Sequence, residues 1–271
     1  MTDAAFAELP GLSLCHRVVG DGPPVLAISG TGGDLRHSPG LLDGPLPRHF
    51  TTLGYDQRGL GRSSVVDTPL TMADFADDAA DLIAHVGWAA CAVVGVSFGG
   101  MVAQELALRH PHLVSKLVLC CTSSGGDGGS SYPLHELFDL PADERGRRSL
   151  ALSDVRLGDE WQRAHPDELR EMLAAAAAER TAVGADEPGR LVGARRQLEA
   201  RAGHDTWHRL PGIDAPTLVC AGRYDGIAPL ANSEALAARI PGARLEVFDG
   251  GHLFMLQDRR AWDVIVDFLR R

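Results

Sequence analysis

The sequence predicts an α/β protein whose mostly parallel sheet is covered by helices on both faces and interrupted by a helical insertion. Short apolar runs such as Ala92–Val94 alternate with stretches of helical period, which is typical of strands buried on both sides. From Tyr132 to Leu210 we find helical patterns and no convincing strand, and the strand pattern resumes at Ala215–Gly222. We therefore expect one sheet with a helical segment inserted between its strands.

The domain boundaries follow from this change of pattern. Residues 1–123 and 210–271 are expected to form the core, and residues 124–209 a helical cap over the functional site. The segment begins with a flexible stretch rich in glycine and serine, Ser123 to Ser131.

The strands are predicted from short, continuous apolar runs. Leu12–Val19 alternates loosely, so we expect either an edge strand or the first arm of a hairpin that turns at residues 20–22. The other predicted strands are Pro24–Ser29, Phe50–Asp56, the run Ala92–Val94 before Ser97, Lys116–Cys121, Ala215–Gly222 and Ala243–Phe248.

The first helix of the core has clear start and stop signals. Thr71 and Asp74 have capping-box spacing, apolar residues from Phe75 to Val86 share one face, and Gly87 ends the helix. Other predicted helices are Phe98–His110, Pro166–Ala182, Pro188–Ala202, Ala231–Arg239 and Arg260–Arg271.

Composition excludes several classes of function. The 271 residues carry a net charge of −10, which disfavours a nucleic-acid or anionic-membrane partner. We see neither a signal peptide nor an apolar run near the ~18 residues of a membrane-spanning helix. Five cysteines without a C-x-x-C spacing indicate reduced, packed thiols in a cytoplasmic protein. A monomer and a homodimer both fit the sequence.

Gly95-Val96-Ser97-Phe98-Gly99 fits the G-x-S-x-G pattern of a nucleophile elbow. The pentapeptide lies between an apolar strand and a helix, which is the context that the motif requires. Strain at such a turn would fix the Ser97 side chain and expose its hydroxyl. The alternative is that Ser97 is merely a small turn residue.

A serine nucleophile requires a base, which is usually a histidine oriented by a carboxylate. Asp225 follows one late strand and His252 follows the next, so that the chain order is Ser97, acid, base. In a parallel sheet all three positions lie at the same carboxyl edge. Asp249 and Asp214 are rival acids; Asp249 ends a strand and could equally serve as a cap or turn residue.

An oxyanion hole needs backbone N–H groups directed at the developing charge. We expect one from Phe98, directly after the nucleophile, and one from Thr31 in the Gly30–Gly33 loop. That loop matches neither a P-loop nor a dinucleotide fingerprint, so no cofactor is expected. No ligand spacing indicates a metal; His204 and His208 could reach the pocket, although packing roles are the simpler interpretation.

Taken together, these motifs resemble the α/β-hydrolase superfamily over nearly the whole chain except the cap. The resemblance is to its capped branch of enol-lactonases, esterases and cofactor-free haloperoxidases. It implies an eight-stranded sheet, Ser97 as nucleophile, His252 as base, Asp225 as orienting acid, and Thr31 with Phe98 as oxyanion donors. The motifs that carry it are Ser29-Gly-Thr-Gly, Tyr55-Asp-Gln-Arg-Gly-Leu-Gly-Arg-Ser63, Gly95-Val-Ser-Phe-Gly-Gly100, Gly222-Arg-Tyr-Asp225 and Gly251-His252.

Four details refine the resemblance. Many relatives have His-Gly where this chain has Ser29-Gly30, so the oxyanion loop is expected to be held differently. Asp34-Leu35 after that loop is similar to the sequence of enol-lactonases at this position. Epoxide hydrolases and haloalkane dehalogenases use aspartate as nucleophile, and Ser97 argues against both. Asp56 and Arg58 match a family motif that we interpret as loop scaffolding.

The sequence therefore favours a hydrolase that cleaves a carboxylic ester or lactone of a small molecule through an acyl-enzyme. The same residues could support carbon–carbon hydrolysis or a lyase or cyclase reaction, or a slow small-ligand receptor. The substrate would be selected by the cap, where five residues could line an apolar pocket or form cap core: Tyr132, Leu134, Phe138, Trp161 and Trp207.

Overall fold

The computed structural model describes residues 4–137, 140–184 and 187–271, and the elements given below lie within these residues. Phe138, one of the five aromatic and apolar cap residues considered above, lies outside them. The strands are β1 Ala5–Leu9, β2 Leu12–Val19, β3 Pro24–Ile28, β4 Thr51–Tyr55, β5 Cys91–Val96, β6 Val114–Cys120, β7 Thr217–Gly222 and β8 Arg244–Phe248. The α-helices are α1 Met72–His85, α2 Phe98–Arg109, α3 Ala142–Ser153, α4 Asp159–Ala164, α5 Pro166–Ala182, α6 Arg190–Ala202, α7 Leu230–Arg239, α8 Phe254–Gln257 and α9 Arg260–Arg270.

The strands form one eight-stranded sheet in the order β1-β2-β4-β3-β5-β6-β7-β8. β1, β2 and β4 pair antiparallel, while β4, β3 and the strands from β5 to β8 all run parallel. The parallel part places the carboxyl ends of β3, β5, β7 and β8 at one edge. This confirms the predicted fold class, a mostly parallel α/β sheet.

The core lies on both faces of this sheet. One apolar cluster joins inward side chains of the strands to α1, α2 and α7, for example Phe75, Val102 and Leu236. A second cluster on the opposite face joins the strands to α8 and α9, including Ile265 and Leu269. Strands covered on both sides must be apolar throughout, which explains the continuous runs in the sequence.

The N-terminal strands differ from the expectation. β2 is neither an edge strand nor the partner of β3 in a hairpin: it pairs with β1 on one side and with β4 on the other. The edge strand is β1, joined to β2 by a turn that includes Gly11 at φ +79°. Sequence reasoning missed β1 because it has five residues, of which only Ala7 is fully buried.

The capping box of α1 is present as predicted. The Thr71 hydroxyl accepts from the Asp74 N–H, and the Asp74 carboxylate accepts from the Thr71 N–H at 2.7 Å. These two bonds satisfy N–H groups that have no acceptor within a helix, so they fix where α1 begins. Gly87 follows the helix at φ +77°, a conformation that glycine adopts without strain.

The chain between β6 and β7 contains α3 to α6 and no strand among its described residues. No helix in the described ranges is long and apolar enough to cross a membrane.

Candidate active site

Ser97 lies at a tight turn between β5 and α2. Its backbone has φ +55° and ψ −115°, which is strained for a residue with a side chain. The flanking glycines permit the turn: a Cβ on Gly95 would lie 2.4 Å from the Gly99 carbonyl oxygen, and one on Gly99 would lie 2.2 Å from the Ile28 oxygen. The G-x-S-x-G spacing is therefore required by backbone contact.

Hydrogen bonds from the end of β6 hold the strained residue. The Ser97 N–H donates to the Cys120 carbonyl at 2.8 Å, and the Thr122 hydroxyl donates to the Ser97 carbonyl at 2.8 Å. Both backbone groups of Ser97 are thus fixed, and only its side chain is left to interact with other residues.

His252 and Asp225 complete a chain of hydrogen bonds with this serine. The His252 Nε2 lies 3.0 Å from the Ser97 Oγ, and its Nδ1 lies 2.8 Å from Asp225 Oδ2. A carboxylate oxygen can only accept, so Nδ1 carries a proton and Nε2 of the neutral ring faces the serine hydroxyl as an acceptor. Ser97, His252 and Asp225 come from the ends of β5, β8 and β7, as the chain order predicts.

Asp225 is oriented by the backbone of its own loop. Its side chain is fully buried, and Oδ1 accepts from the N–H groups of Ile227 and Ala228, each at 2.8 Å. With Oδ1 engaged in this way, Oδ2 is left to face His252.

The rival acids lie elsewhere. The Asp249 side chain is 73% exposed and lies 3.5 Å from Arg156, and Asp214 is exposed. His208 is also exposed, near Asp127. His204 is buried, and its ring contacts the Ser123 carbonyl rather than the serine nucleophile candidate.

The end of α3, in the inserted segment, supports both the acid loop and the histidine loop. The His252 N–H donates to the Ser153 carbonyl at 2.6 Å, and the Gly226 N–H donates to the Leu152 carbonyl at 2.9 Å. A Cβ on Gly251 would lie 2.0 Å from the Ser153 oxygen, so glycine is required there. The inserted segment therefore helps to place two of the three site residues.

The two expected oxyanion donors belong to the helix that follows Ser97 and to the loop that passes beside it. Phe98 begins α2, and its N–H is one of those that a helix leaves without an internal acceptor. Its side chain is buried edge-on against Phe75, with ring centroids 5.1 Å apart. A Cβ on Gly30 would lie 3.4 Å from the Ser97 Cβ, so the loop that holds Thr31 passes beside the serine. Within the described residues, no hydrogen bond uses the N–H of Thr31 or Phe98.

Two glutamines hold the loop that follows Ser29. The Ser29 carbonyl accepts from Gln57 Nε2 at 2.9 Å, and the Gly32 N–H donates to Gln197 Oε1 at 2.8 Å. Both glutamine side chains are fully buried, whereas the Ser29 hydroxyl has no partner among the described residues. Gln57 falls within a motif that the sequence singled out, but nothing in the sequence distinguished Gln197.

Gln197 lies on α6, and an ionic cluster fastens the beginning of that helix to the core. Asp34 accepts from Arg36 at 2.7 Å and from Arg190 at 3.1 Å, and Arg36 also pairs with Glu187. Burial alone would raise the pKa of Asp34, but hydrogen bonds from Arg36 and Arg190 outweigh it and lower the pKa to about 2. Asp34 is therefore charged at neutral pH and ties the oxyanion loop to the inserted segment.

Asp56 and Arg58 have the structural roles expected of them. The Asp56 carboxylate accepts from the N–H groups of Leu35 at 2.6 Å and Arg62 at 3.0 Å, which joins two loops. Arg58 forms a double hydrogen bond with Asp78 of α1. Neither side chain contacts Ser97 in a described hydrogen bond.

Cys121 lies close to Asp225 and His252, with its Sγ within 4.8 Å of a side-chain oxygen or nitrogen of each. Such a trio could in principle hold a metal ion. Burial raises the pKa of the Cys121 thiol well above its usual range, so the thiol stays protonated, and both nitrogens of His252 already have partners. A protonated thiol and an imidazole with both nitrogens engaged are poor ligands, so the chemistry of these three donors does not fit a metal centre.

The comparisons with known proteins agree with this fold. Residues 23–258 match the family model described as the alpha/beta hydrolase fold. The chain is similar to a poly(3-hydroxyalkanoate) depolymerase of Ectopseudomonas oleovorans, with 29% identity over 92% of this chain and 84% of the relative. It is 31% identical to RutD of Variovorax paradoxus, provisionally named a carbamate hydrolase, over 93% of each chain. The solved enol-lactonase of Burkholderia xenovorans LB400 superposes with a TM-score of 0.77, at 23% identity, over 98% of this chain and 100% of that one.

This chain belongs to the α/β-hydrolase fold family and is an α/β-hydrolase enzyme. The named relatives are hydrolases, which supports hydrolysis as the kind of reaction.

Proposed function

We propose that this protein is a serine hydrolase that cleaves a carboxylic ester or lactone of a small molecule through an acyl-enzyme. The observation that carries the proposal is the continuous chain of hydrogen bonds from Ser97 through His252 to Asp225. Such a chain lets a neutral imidazole take the serine proton while the carboxylate stabilises the imidazolium that forms.

In the first step, the Ser97 Oγ attacks the substrate carbonyl carbon and its proton passes to His252 Nε2. The carbonyl oxygen becomes an oxyanion, which the N–H groups of Phe98 and Thr31 stabilise together with the N-terminal end of α2. The tetrahedral intermediate collapses, the C–O bond breaks, and His252 returns its proton to the leaving alkoxide.

In the second step, water replaces the alcohol. His252 takes a proton from water as the hydroxide attacks the acyl-enzyme carbonyl, and the second intermediate collapses to release the acid and regenerate the Ser97 hydroxyl. For a lactone, alcohol and acid are parts of one product, so a hydroxycarboxylate leaves. No step requires a cofactor.

We further propose that residues 124–209 act as a cap that selects the substrate. Contacts between α3 and the acid and histidine loops, and between α6 and the oxyanion loop, support this division of the chain. A small-molecule substrate, a cytoplasmic location, the absence of nucleic-acid and membrane partners, and a monomeric or homodimeric state belong to the same proposal.

The test is a product-resolved activity screen. Purified wild type is incubated with esters and lactones of increasing acyl size, and the acid and alcohol are both quantified. We expect acid and alcohol to be released in equal amounts. The turnover should fall by a factor of about 10⁴ or more in His252→Ala. His112→Ala, at an exposed histidine, is the matched control and should retain wild-type turnover.

Other outcomes would redirect the assignment. Near-normal ester turnover in His252→Ala would contradict the proposed mechanism. Products of carbon–carbon cleavage or elimination, without ester hydrolysis, would indicate that the same residues serve a different reaction.

A further inference from the structure

The chain at the end of α3 contacts both the acid loop (residues 223–228) and the histidine loop (residues 249–253). The Val155 N–H donates to the carbonyl of Tyr224, directly before the acid, at 2.9 Å. The last two carbonyls of α3, as described above, accept from one N–H of each loop. These are backbone contacts, and they give no reason for the side chain that lies among them, the carboxylate of Asp154.

The Asp154 carboxylate is nearly removed from water. Its side chain is 4% exposed, and a buried carboxylate is unfavourable unless donors surround it. Oδ1 accepts from the Arg156 N–H at 3.1 Å and from Arg156 Nε at 2.9 Å, and Oδ2 accepts from Arg156 Nη2 at 2.6 Å. Burial acts to raise the pKa of Asp154, but the hydrogen bonds from Arg156 outweigh it and hold the pKa below its usual value, so the carboxylate is charged at neutral pH.

Gln257 links this carboxylate to the backbone beside His252. Its Nε2 donates to Asp154 Oδ2 at 3.2 Å, and its Oε1 accepts from the Gly251 N–H at 2.7 Å. The orientation of the amide is fixed, because a carboxylate can only accept and a backbone N–H can only donate. The two segments are also in close contact, since a Cβ on Gly251 would lie 2.8 Å from the Asp154 Cα. The N–H next to His252 is therefore held by a side chain that Asp154 orients.

Arg156 extends the same network to the acid loop. Its guanidinium carbon lies 4.2 Å from the centre of the Tyr224 ring, which is cation–π geometry. The Arg156 side chain is 43% exposed, so this contact alone would hold it weakly, but the buried Asp154 carboxylate fixes the guanidinium through two side-chain hydrogen bonds. Asp154 is thus connected to the residue before the acid through Arg156, and to the residue before the histidine through Gln257.

A capping role would explain only part of these contacts. Oδ1 alone can close the turn after α3 through the Arg156 N–H, whereas Oδ2 faces Gln257 and the guanidinium. We propose that Asp154 is a positioning residue: acting through Gln257 and Arg156, it holds the acid loop and the histidine loop at a fixed distance from each other. The hydrogen bond between Asp225 and His252 depends on that distance. The expected effect on turnover rests on the proposed function, whereas the effect on this hydrogen bond does not.

The test exchanges the acid and the amide between positions 154 and 257. Gln257→Glu places two carboxylates face to face, and Asp154→Asn places two amide groups face to face as donors, so each single variant loses a hydrogen bond. The double variant Asp154→Asn/Gln257→Glu restores one, with the donor now at position 154. Asp249→Asn removes only an exposed contact of Arg156 and is the matched control, which should behave as wild type.

The first measurement is the proton NMR resonance of His252 Nδ1–H, which lies at low field while this proton is hydrogen-bonded to a carboxylate. It is assigned by its absence from His252→Ala. We expect the resonance to move upfield or to broaden beyond detection in both single variants and to return in the double variant. If a single variant does not fold, Gln257→Ala, at an exposed residue, removes the link without opposing charges. A resonance that is unchanged in the single variants, or absent from wild type, would overturn the proposal.

The second measurement is hydrolysis of the best ester from the screen, with kcat and KM determined separately. We expect kcat about tenfold lower in the single variants with KM nearly unchanged, because a hydrogen bond lost to a charged group changes an equilibrium by about that factor or more. The double variant should recover to within about threefold of wild type. A raised KM with unchanged kcat, or a double variant no more active than the weaker single variant, would overturn the positioning role. Absence of ester turnover in wild type would contradict the proposed function alone, because the NMR measurement needs no substrate.

Discussion

Replacing Asp225 by asparagine tests whether the carboxylate fixes the tautomer of His252, with little change of shape. In the native site, Oδ1 accepts from the N–H groups of Ile227 and Ala228, and Oδ2 accepts from His252 Nδ1. An asparagine has only one oxygen, and the two backbone donors hold it. Its amide NH₂ then faces His252 and donates to Nδ1, which forces the ring proton onto Nε2. That tautomer cannot accept the Ser97 proton.

The size of the loss follows from the cost of the opposite amide orientation. If the asparagine oxygen turned to His252, the two backbone N–H groups would lose their acceptor, at about 1–3 kcal/mol each. The productive orientation is therefore disfavoured by about 2–6 kcal/mol, which corresponds to a fall in turnover of roughly 30-fold to 3 × 10⁴-fold. The upper end agrees with the loss of about 10⁴ known for this substitution in another triad.

The assay is steady-state hydrolysis of the best ester from the screen, with kcat and KM determined separately. We expect kcat to fall by that factor and KM to change little, because the substitution alters proton transfer and not the substrate pocket. Asp249→Asn, at the exposed rival acid, is the matched control and should behave as wild type. A loss below about tenfold in Asp225→Asn would refute the assigned role of the carboxylate.

Three further predictions concern the elements around the site. Gln197→Leu removes the acceptor for the Gly32 N–H and should lower kcat about tenfold, which is less than the 10²–10³ expected for losing an oxyanion donor outright. The control Leu191→Ala, at an exposed residue of the same helix, should leave kcat unchanged. An unchanged kcat in Gln197→Leu would contradict the role of Gln197 in holding the loop. Gly193→Ala places a Cβ 1.8 Å from the Gly59 oxygen and should lower the free energy of unfolding, measured with denaturant, by about 1–3 kcal/mol. Gly203→Ala, whose Cβ would have its nearest contact at 3.7 Å, should lower it less. Equal stabilities of the two variants would refute the close approach of Gly193 to Gly59. The pKa of Asp34 in the folded protein is lowered to about 2 from 3.8, so its contribution to stability is present above pH 4 and is lost as the pH falls towards 2. In Asp34→Asn, the free energy of unfolding should therefore depend less steeply on pH in that window. An unaltered slope would contradict the stabilising role of the ionic cluster.

The parallel part of the fold was predictable because its signals are local. Strands buried on both faces are continuously apolar, and Thr71 with Asp74 marks a helix start through a bond between near neighbours. β1 was missed because a short edge strand buries little, and the pairing of β2 was wrong because partner choice depends on residues far along the chain.

The residues of the candidate site also separate into those that local sequence signals reveal and those that only the packing of distant segments reveals. Ser97, Asp225 and His252 each follow a predicted strand, so a parallel sheet alone brings them to one edge. Gln197 contacts Gly32 across 165 positions, and the Ser153 carbonyl accepts from the His252 N–H only because of how the inserted segment packs. Neither property is encoded in the residues near it, so the structure was needed to find them.

The most direct test of the account is whether Ser97 is an activated nucleophile. Wild type and Ser97→Ala are treated with a fluorophosphonate, and the intact mass of each protein is measured. We predict a single adduct on wild type and none on Ser97→Ala. Wild type without an adduct, or an adduct that persists in Ser97→Ala, would contradict the proposed serine hydrolase mechanism.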